Sequence, residues 1–283
     1  MLRHGNAAPS TRRALEALGL LIGQTARGVE LNRTNVAGVA VEKATPRLAN
    51  SATSIVYLHG GAYVSGSPRS YRRLVSHLAA AAGCRVVAVD YRLAPEFPYP
   101  AALDDTICVY RAVLADPTVE KVILAGDSAG GGLALATAIS LRERGAPSPA
   151  ALVCIAPWTD LTCSGDSMRS RARQERMMSP AGLAVDARKY AGDASLHDPL
   201  ISPLFAELSG LPPMLIQVGE DEVLLDDSIR LAAAAERAGV PAILQIWPRL
   251  WHVWHLYAGL VPEADEAIRA IAAFICDELG RGR

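Results

Sequence analysis

A chain of 283 residues suits one large domain, or one domain with a sizeable insertion. Hydrophobic residues make up 51% and charged residues 20%, enough apolar material for a buried core, and the formal net charge of -1 gives no reason to expect a nucleic-acid or anionic-membrane partner. The five cysteines (Cys84, Cys108, Cys154, Cys163, Cys276) are widely spaced, odd in number and without a C-x-x-C pair, which argues against a disulfide framework or a zinc site and for a reducing compartment.

The opening stretch, "MLRHGNAAPSTRRALEALGLLIGQTARG", is punctuated by polar residues and lacks the apolar region and small-residue cleavage site of a secretory signal. No apolar run is long enough to cross a bilayer, so the expectation is a cytoplasmic protein. "VAGVAVEKATP" reads as an antiparallel edge strand. From residue 53 onward strands and helices alternate. "SIVYLHG" is a strand, and "YRRLVSHLAAAAG" a helix closed by Gly83. "CRVVAVDY" is the next strand and "PAALDDTICVYRAVLAD" the next helix, with Pro100 in its first turn. Strand "KVILAG", helix "SAGGGLALATAISLRERG" and strand "AALVCIAP" follow, and after an interruption come "PPMLIQVG", "DDSIRLAAAAERAG", "AILQIWP" and "EADEAIRAIAAFICDEL". The strands are continuously apolar, as parallel strands covered on both faces must be, so the expected architecture is α/β with a mostly parallel sheet.

Residues 160–205 break this rhythm. They contain no comparable strand, but hold one helix, "SPAGLAVDARKY", with Ser179 as N-cap and Pro180 at the first helical position. An irregular insertion of that length points to a lid or binding element. Its arginines, Arg169, Arg171, Arg173 and Arg176, lack interleaved aromatics and read as a solvated face.

The most specific local signal is "VILAGDSAGGGLALA", where Gly126, Ser128 and Gly130 form G-x-S-x-G between a strand and a helix. Such a turn thrusts the serine hydroxyl up at a helix N-terminus and demands small neighbours; an ordinary N-cap serine is the bland alternative. A serine needs a base, and in this arrangement the order is Ser, acid, His. Only His252 and His255 follow the last strand. The acid belongs just past "PPMLIQVG", where Glu220, Asp221 and Glu222 remain candidates; Asp226 and Asp227 are more cheaply explained as N-cap and first-turn carboxylates of the following helix. Spacing alone separates neither the histidines nor the loop trio. Acyl transfer also needs N–H donors for an oxyanion, one from Ala129 and others from the loop "HGGAY" after an earlier strand, where His59 serves as a brace.

Six motifs in order carry a resemblance: "HGGAY" (59–63), "DYRLAPEFPYPAALDD" (90–105), "GDSAGG" (126–131), "APWTDL" (156–161), "DPLISP" (198–203) and "HVWH" (252–255). Together they resemble the hormone-sensitive-lipase-like family of α/β-hydrolase carboxylesterases, over nearly the whole chain from residue 36. The resemblance implies a single α/β-hydrolase domain over 1–283, a mostly parallel sheet with helices on both faces, and a small helical cap built from about 1–35 and 160–205. It implies Ser128 as nucleophile, His252 as base with His255 as a structural neighbour, and Glu222 as acid where the family usually has aspartate. It places oxyanion donors on Gly60, Gly61 and Ala62. Alanine replaces the family's usual third glycine there, which is compatible if φ stays negative. Tyr91 and Trp158 would line the substrate pocket. Known members hydrolyse small, mostly short-chain acyl esters without metal or cofactor, and many form homodimers through sheet edges. An amide, thioester or lactone hydrolase, or a non-catalytic ligand receptor on the same fold, stands as the alternative.

Overall fold

The computed structural model of the protein describes residues 24–280. Eight strands form one sheet in the order β1-β2-β4-β3-β5-β6-β7-β8. They are β1 Val29–Val36, β2 Val39–Pro46, β3 Asn50–Leu58, β4 Cys84–Val89, β5 Lys121–Asp127, β6 Ala151–Ile155, β7 Met214–Gly219 and β8 Ala242–Trp247. Only β2 runs against its neighbours. The helices are α1 Arg72–Ala82, α2 Ala101–Leu114, α3 Ala129–Glu143, α4 Ser167–Ser170, α5 Pro180–Ala191, α6 Leu225–Arg237 and α7 Pro262–Gly280. This is an α/β-hydrolase fold, and no helix among the described residues is long and apolar enough to cross a membrane.

The continuous apolar strands serve two cores, because successive side chains leave a strand on opposite faces. Val56, Leu58, Leu124, Leu152, Cys154 and Ile216 join one cluster with residues of α2, α3, α5 and α6. Their strand neighbours Ile55, Tyr57, Ile123, Val153, Ile155 and Leu215 join the other, under α1 and α7. α3 is buried from Ala129 to Leu141, which explains its alanine and glycine content: a thick helix would not fit between sheet and insertion.

"VAGVAVEKATP" forms the antiparallel β2 but does not lie at the edge. The polar stretch "VELNRTNV" pairs with it as β1 through a two-residue turn at Ala37 and Gly38, both at positive φ, and β1 takes the edge. The expected cap segment 1–35 therefore includes part of a sheet strand, and its first 23 residues lie outside the described residues. Residues 160–205 contain no strand, as expected, and hold α4, α5 and a 3-10 turn at Pro203–Phe205. Ser179 caps α5, its hydroxyl oxygen accepting the Gly182 N–H at 3.1 Å.

What positions the chemistry is the pairing of β3 with β5 in a register that sets Leu58 against Gly126. The chain passes from β3 to β4 on one side, then crosses back to β5 on the other, so the loops after β3 and β5 leave side by side at a topological switch point. A Cβ on Gly130 would stand 2.0 Å from the Leu58 carbonyl oxygen, and one on Gly126 would stand 2.3 Å from that of Gly130. Gly130→Ala should therefore destabilise the fold by about 1–3 kcal/mol, or block folding, in thermal unfolding; an unchanged melting temperature would mean that these turns can part freely.

Candidate active site

Ser128 follows β5 directly and takes φ 52° and ψ -123°, a conformation sparsely populated by residues other than glycine. An ordinary N-cap serine has extended backbone and a side-chain bond into the helix; Ser128 has neither. The turn is fixed by its own backbone. The Ser128 N–H donates to the Ile155 carbonyl at 2.8 Å, and the Ser128 carbonyl accepts the N–H groups of Gly131, Gly132 and Trp158 at 3.0, 3.2 and 2.9 Å.

Among the late histidines, His252 makes the decisive contact. Its Nδ1 donates to Glu222 Oε2 at 2.6 Å, with both side chains buried, and Glu222 Oε1 accepts the Gly219 N–H at 2.6 Å. Because a carboxylate only accepts, the His252 proton sits on Nδ1 and Nε2 is left as the basic nitrogen. Burial pushes the His252 pKa down. The charge and hydrogen bond of Glu222, aided by the charges of Glu175 and Asp127, outweigh it and hold the pKa above 6.5.

The other candidates do not share this geometry. Glu220 Oε2 accepts the Arg249 N–H, and Asp221 joins the wall of a cleft of about 420 Å³ with Arg176, Met177, Arg249, Trp251 and Tyr257. His255 is fully buried and donates from Nε2 to Gln217 Oε1 at 2.8 Å; burial and the His252 charge push its pKa down to about 3, so it stays neutral.

The "HGGAY" loop lies over Ser128. Gly61 has φ 119°, and a Cβ there would stand 2.2 Å from the Ser65 carbonyl oxygen, so glycine is required. Ala62 and Tyr63 follow at φ 54° and 63°. No acceptor meets the N–H groups of Gly61, Ala62 or Ala129 among the described residues. His59 Nδ1 donates to the Gly60 carbonyl at 2.8 Å while its ring stacks on Tyr91 at 4.3 Å, and burial lowers its pKa to about 4.

A profile of the alpha/beta hydrolase fold family matches residues 55–256. An acetyl-hydrolase of Streptomyces hygroscopicus is 46% identical over 230 residues, which cover 81% of this chain and 77% of that protein. A crystal structure of an esterase from the bacterial hormone-sensitive lipase family superposes with a TM-score of 0.93 at 40% identity, covering 97% of this chain and 93% of that one. The esterase EstE5, in a crystal soaked with p-nitrophenyl butyrate, superposes with a TM-score of 0.92 at 39% identity over 98% of this chain and 94% of its own. The chain belongs to the hormone-sensitive-lipase-like family of α/β-hydrolase carboxylesterases.

Within this esterase the geometry departs from several expectations. The Gly60 N–H is not free for an oxyanion, because it donates to Asp127 Oδ1 at 3.0 Å. Ala62 adopts positive φ, contrary to the negative value expected to make alanine compatible, so this loop holds a strained non-glycine residue. Tyr91 and Trp158, the expected pocket residues, are 2% and 0% exposed. Tyr91 donates to the His59 carbonyl, and Trp158 donates to the Asp160 carbonyl while packing near Tyr63. Asp226 and Asp227 do lie in the first turn of α6, but Leu224 occupies the cap position. Asp226 Oδ2 instead accepts the Ser167 N–H, and Asp227 Oδ2 accepts the N–H groups of Thr159 and Asp160, fastening the start of the insertion.

Two residues near His252 were not anticipated. Asp127 carries the Gly60 N–H, and Glu175, inside the insertion, accepts the Val223 N–H and acts electrostatically on His252. The G-x-S-x-G motif pointed at the position of Asp127; nothing in the sequence pointed at Glu175.

On the proposal below that His252 is the base, it must be neutral to accept a proton, so kcat/KM should rise with pH through its pKa, above 6.5. Glu222→Gln removes the charge that sustains that pKa. The acid limb of the profile should move to lower pH and kcat should fall by about 10⁴-fold. Asp221→Asn should leave both unchanged in the same assay; if Asp221→Asn is the crippled variant, the acid is the neighbouring residue.

Proposed function

We propose that this esterase hydrolyses small, short-chain acyl esters through a Ser128–His252–Glu222 triad and an acyl-enzyme intermediate. The observation that carries the reading is the buried 2.6 Å His252–Glu222 contact, which leaves Nε2 as the unprotonated nitrogen of the ring. His252 Nε2 takes the proton of Ser128 as Oγ attacks the ester carbonyl. The tetrahedral oxyanion accepts hydrogen bonds from the N–H groups of Gly61, Ala62 and Ala129. Each such donor contributes about 3–4 kcal/mol to the transition state. The imidazolium, stabilised by Glu222, returns its proton to the leaving alcohol. Water, deprotonated by the same nitrogen, then attacks the acyl-serine and releases the acid. All required groups are side chains or backbone of this chain, and the route calls for no metal or cofactor.

Acyl length is read from two relatives: one carries the name acetyl-hydrolase, and the crystal of the other was soaked with a butyrate ester. Residues 160–205 form the cap in this reading. In support, Arg176 and Met177 of that segment meet Trp251 and Asp221, the chain neighbours of base and acid, across the cleft.

With p-nitrophenyl acetate or butyrate as substrate, Ser128→Ala should lower turnover by about 10⁶-fold, and Ser128 should be labelled covalently by an organophosphate. Hydrolysis that survives the substitution would sink the mechanism, and a preference for long-chain esters would sink the substrate assignment.

The reading includes pairing of two copies along β8, which ends the sheet and leaves Ile243 and Ile246 48% and 44% exposed. Sedimentation should report a dimer that charged substitutions at these two positions dissociate; a wild-type monomer at micromolar concentration would exclude it.

A further inference from the structure

Asp127 stands between the nucleophile and the oxyanion loop and, beyond its charge on His252, takes no bond-making or proton-transfer step in the triad chemistry above. It is fully buried, and its carboxylate receives three donors from three parts of the fold. Tyr57 of β3 donates its hydroxyl to Oδ1 at 2.8 Å, the Gly60 N–H reaches the same oxygen at 3.0 Å, and Tyr71, at the N-terminal boundary of α1, donates to Oδ2 at 3.0 Å. The fit leaves no room for a side chain at Gly60. A Cβ there would stand 2.3 Å from Asp127 Oδ2, 2.8 Å from the Tyr71 hydroxyl and 3.1 Å from Ser128 Cβ. The second residue of "HGGAY" is thus glycine because the loop rests directly on this carboxylate.

Two observations show that the loop needs such a hold. Ala62 and Tyr63 both sit at positive φ, a conformation that persists in non-glycine residues only where the surroundings over-determine it. The downstream end is held by Tyr63, whose ring stacks on Tyr190 of α5 with centroids 3.6 Å apart. The upstream end is held by Asp127. Between the two lie Gly61 and Ala62, whose N–H groups have no acceptor among the described residues.

We propose that Asp127 is a positioning residue: by clamping Gly60 with the support of Tyr57 and Tyr71, it fixes the N–H groups of Gly61 and Ala62 relative to the adjoining Ser128. This rests on the serine-esterase reading and assigns to the residue before the nucleophile a part in placing the oxyanion donors. Burial raises the Asp127 pKa to about 6 against the opposing pull of the tyrosine hydroxyls, His252 and the Gly60 N–H, so a buried carboxyl is maintained where an apolar side chain would pack at less expense in desolvation.

The test uses the full chain with p-nitrophenyl acetate and a trifluoromethyl ketone, which adds to the serine and forms an oxyanion in the same place as the reaction. A displacement of about 1 Å in catalytic groups costs on the order of 10²-fold in rate. Asp127→Ala should therefore lower kcat by about that factor, weaken the ketone in parallel and change KM little. Asp127→Asn keeps an oxygen for Gly60 and Tyr57 and should recover most of the loss. Tyr71→Phe should lower kcat several-fold at unchanged KM.

A folded Asp127→Ala variant with wild-type kcat and ketone affinity, or with its whole defect in KM, overturns the proposal. If Asp127→Ala does not fold, Tyr71→Phe decides: wild-type kcat and ketone affinity there also overturn it. Ser128→Ala keeps the two readings apart. Its residual hydrolysis would refute the serine mechanism itself, whereas a dead Ser128→Ala beside a fully active Asp127→Ala refutes only the role of Asp127.

Discussion

Ser128 and the "HGGAY" loop leave the sheet from two paired strands, β5 and β3, and must do so at backbone contact. A Cβ on Gly130 would overlap the Leu58 carbonyl oxygen at 2.0 Å, and one on Gly60 would overlap Asp127 at 2.3 Å, so the two turns meet through glycines on both sides. The strain is concentrated there: Ser128, Ala62 and Tyr63 all have positive φ, at an expense of order 1–3 kcal/mol each. What offsets it is the rest of the molecule. β3, β5 and α3 are almost wholly buried between two apolar clusters, so releasing the strain would mean separating elements that bury most of the core.

Electrostatic design in this protein is a contest between burial and donors, and the outcome differs at each carboxylate. Burial raises Asp227 to about 7 despite the N–H groups of Thr159 and Asp160. Burial also pushes Asp160 up, yet the hydroxyls of Ser164 and Thr162 and the guanidinium of Arg230 overcome it and its pKa falls. At the site the balance is used rather than merely tolerated. Glu222 is fully buried with a backbone N–H on one oxygen and the imidazole on the other, so its charge falls on His252 with little screening by water. His255, three residues on and equally buried, faces a neutral glutamine and is driven to about 3. The difference between the two histidines lies in what each ring touches.

That difference explains what was legible in the sequence. Ser128 could be singled out because strand, turn and helix are contiguous, and chain order narrowed its candidate partners to two histidines and a loop of three carboxylates. Spacing could not divide the trio, since Glu220, Asp221 and Glu222 occupy one turn and only the approach of the loop carrying His252 makes them unequal. β1 escaped notice because "VELNRTNV" is half solvated on an edge and shows no apolar alternation. The positive φ of Ala62 was also out of reach: alanine signals no such conformation, and the constraint comes from Asp127 and Tyr190, far away in sequence. Asp226 and Asp227 were read as local helix-end carboxylates, but their partners lie in the insertion, across a fold that spacing does not reveal.

Those long-range bonds show why an irregular segment can hold a fixed shape beside the site. Ser167 donates its hydroxyl to the Val223 carbonyl and its N–H to Asp226, and Glu175 accepts the Val223 N–H, so the insertion is fastened to the residues immediately following Glu222. The same Glu175 adds its charge to the field on His252 and helps Glu222 raise its pKa. The segment after "APWTDL" is therefore not independent of the Glu222–His252 pair. The piece of chain that carries Glu175 is bonded to the loop that carries Glu222, and its charge reaches His252. The proton affinity of His252 thus depends in part on a residue of the insertion.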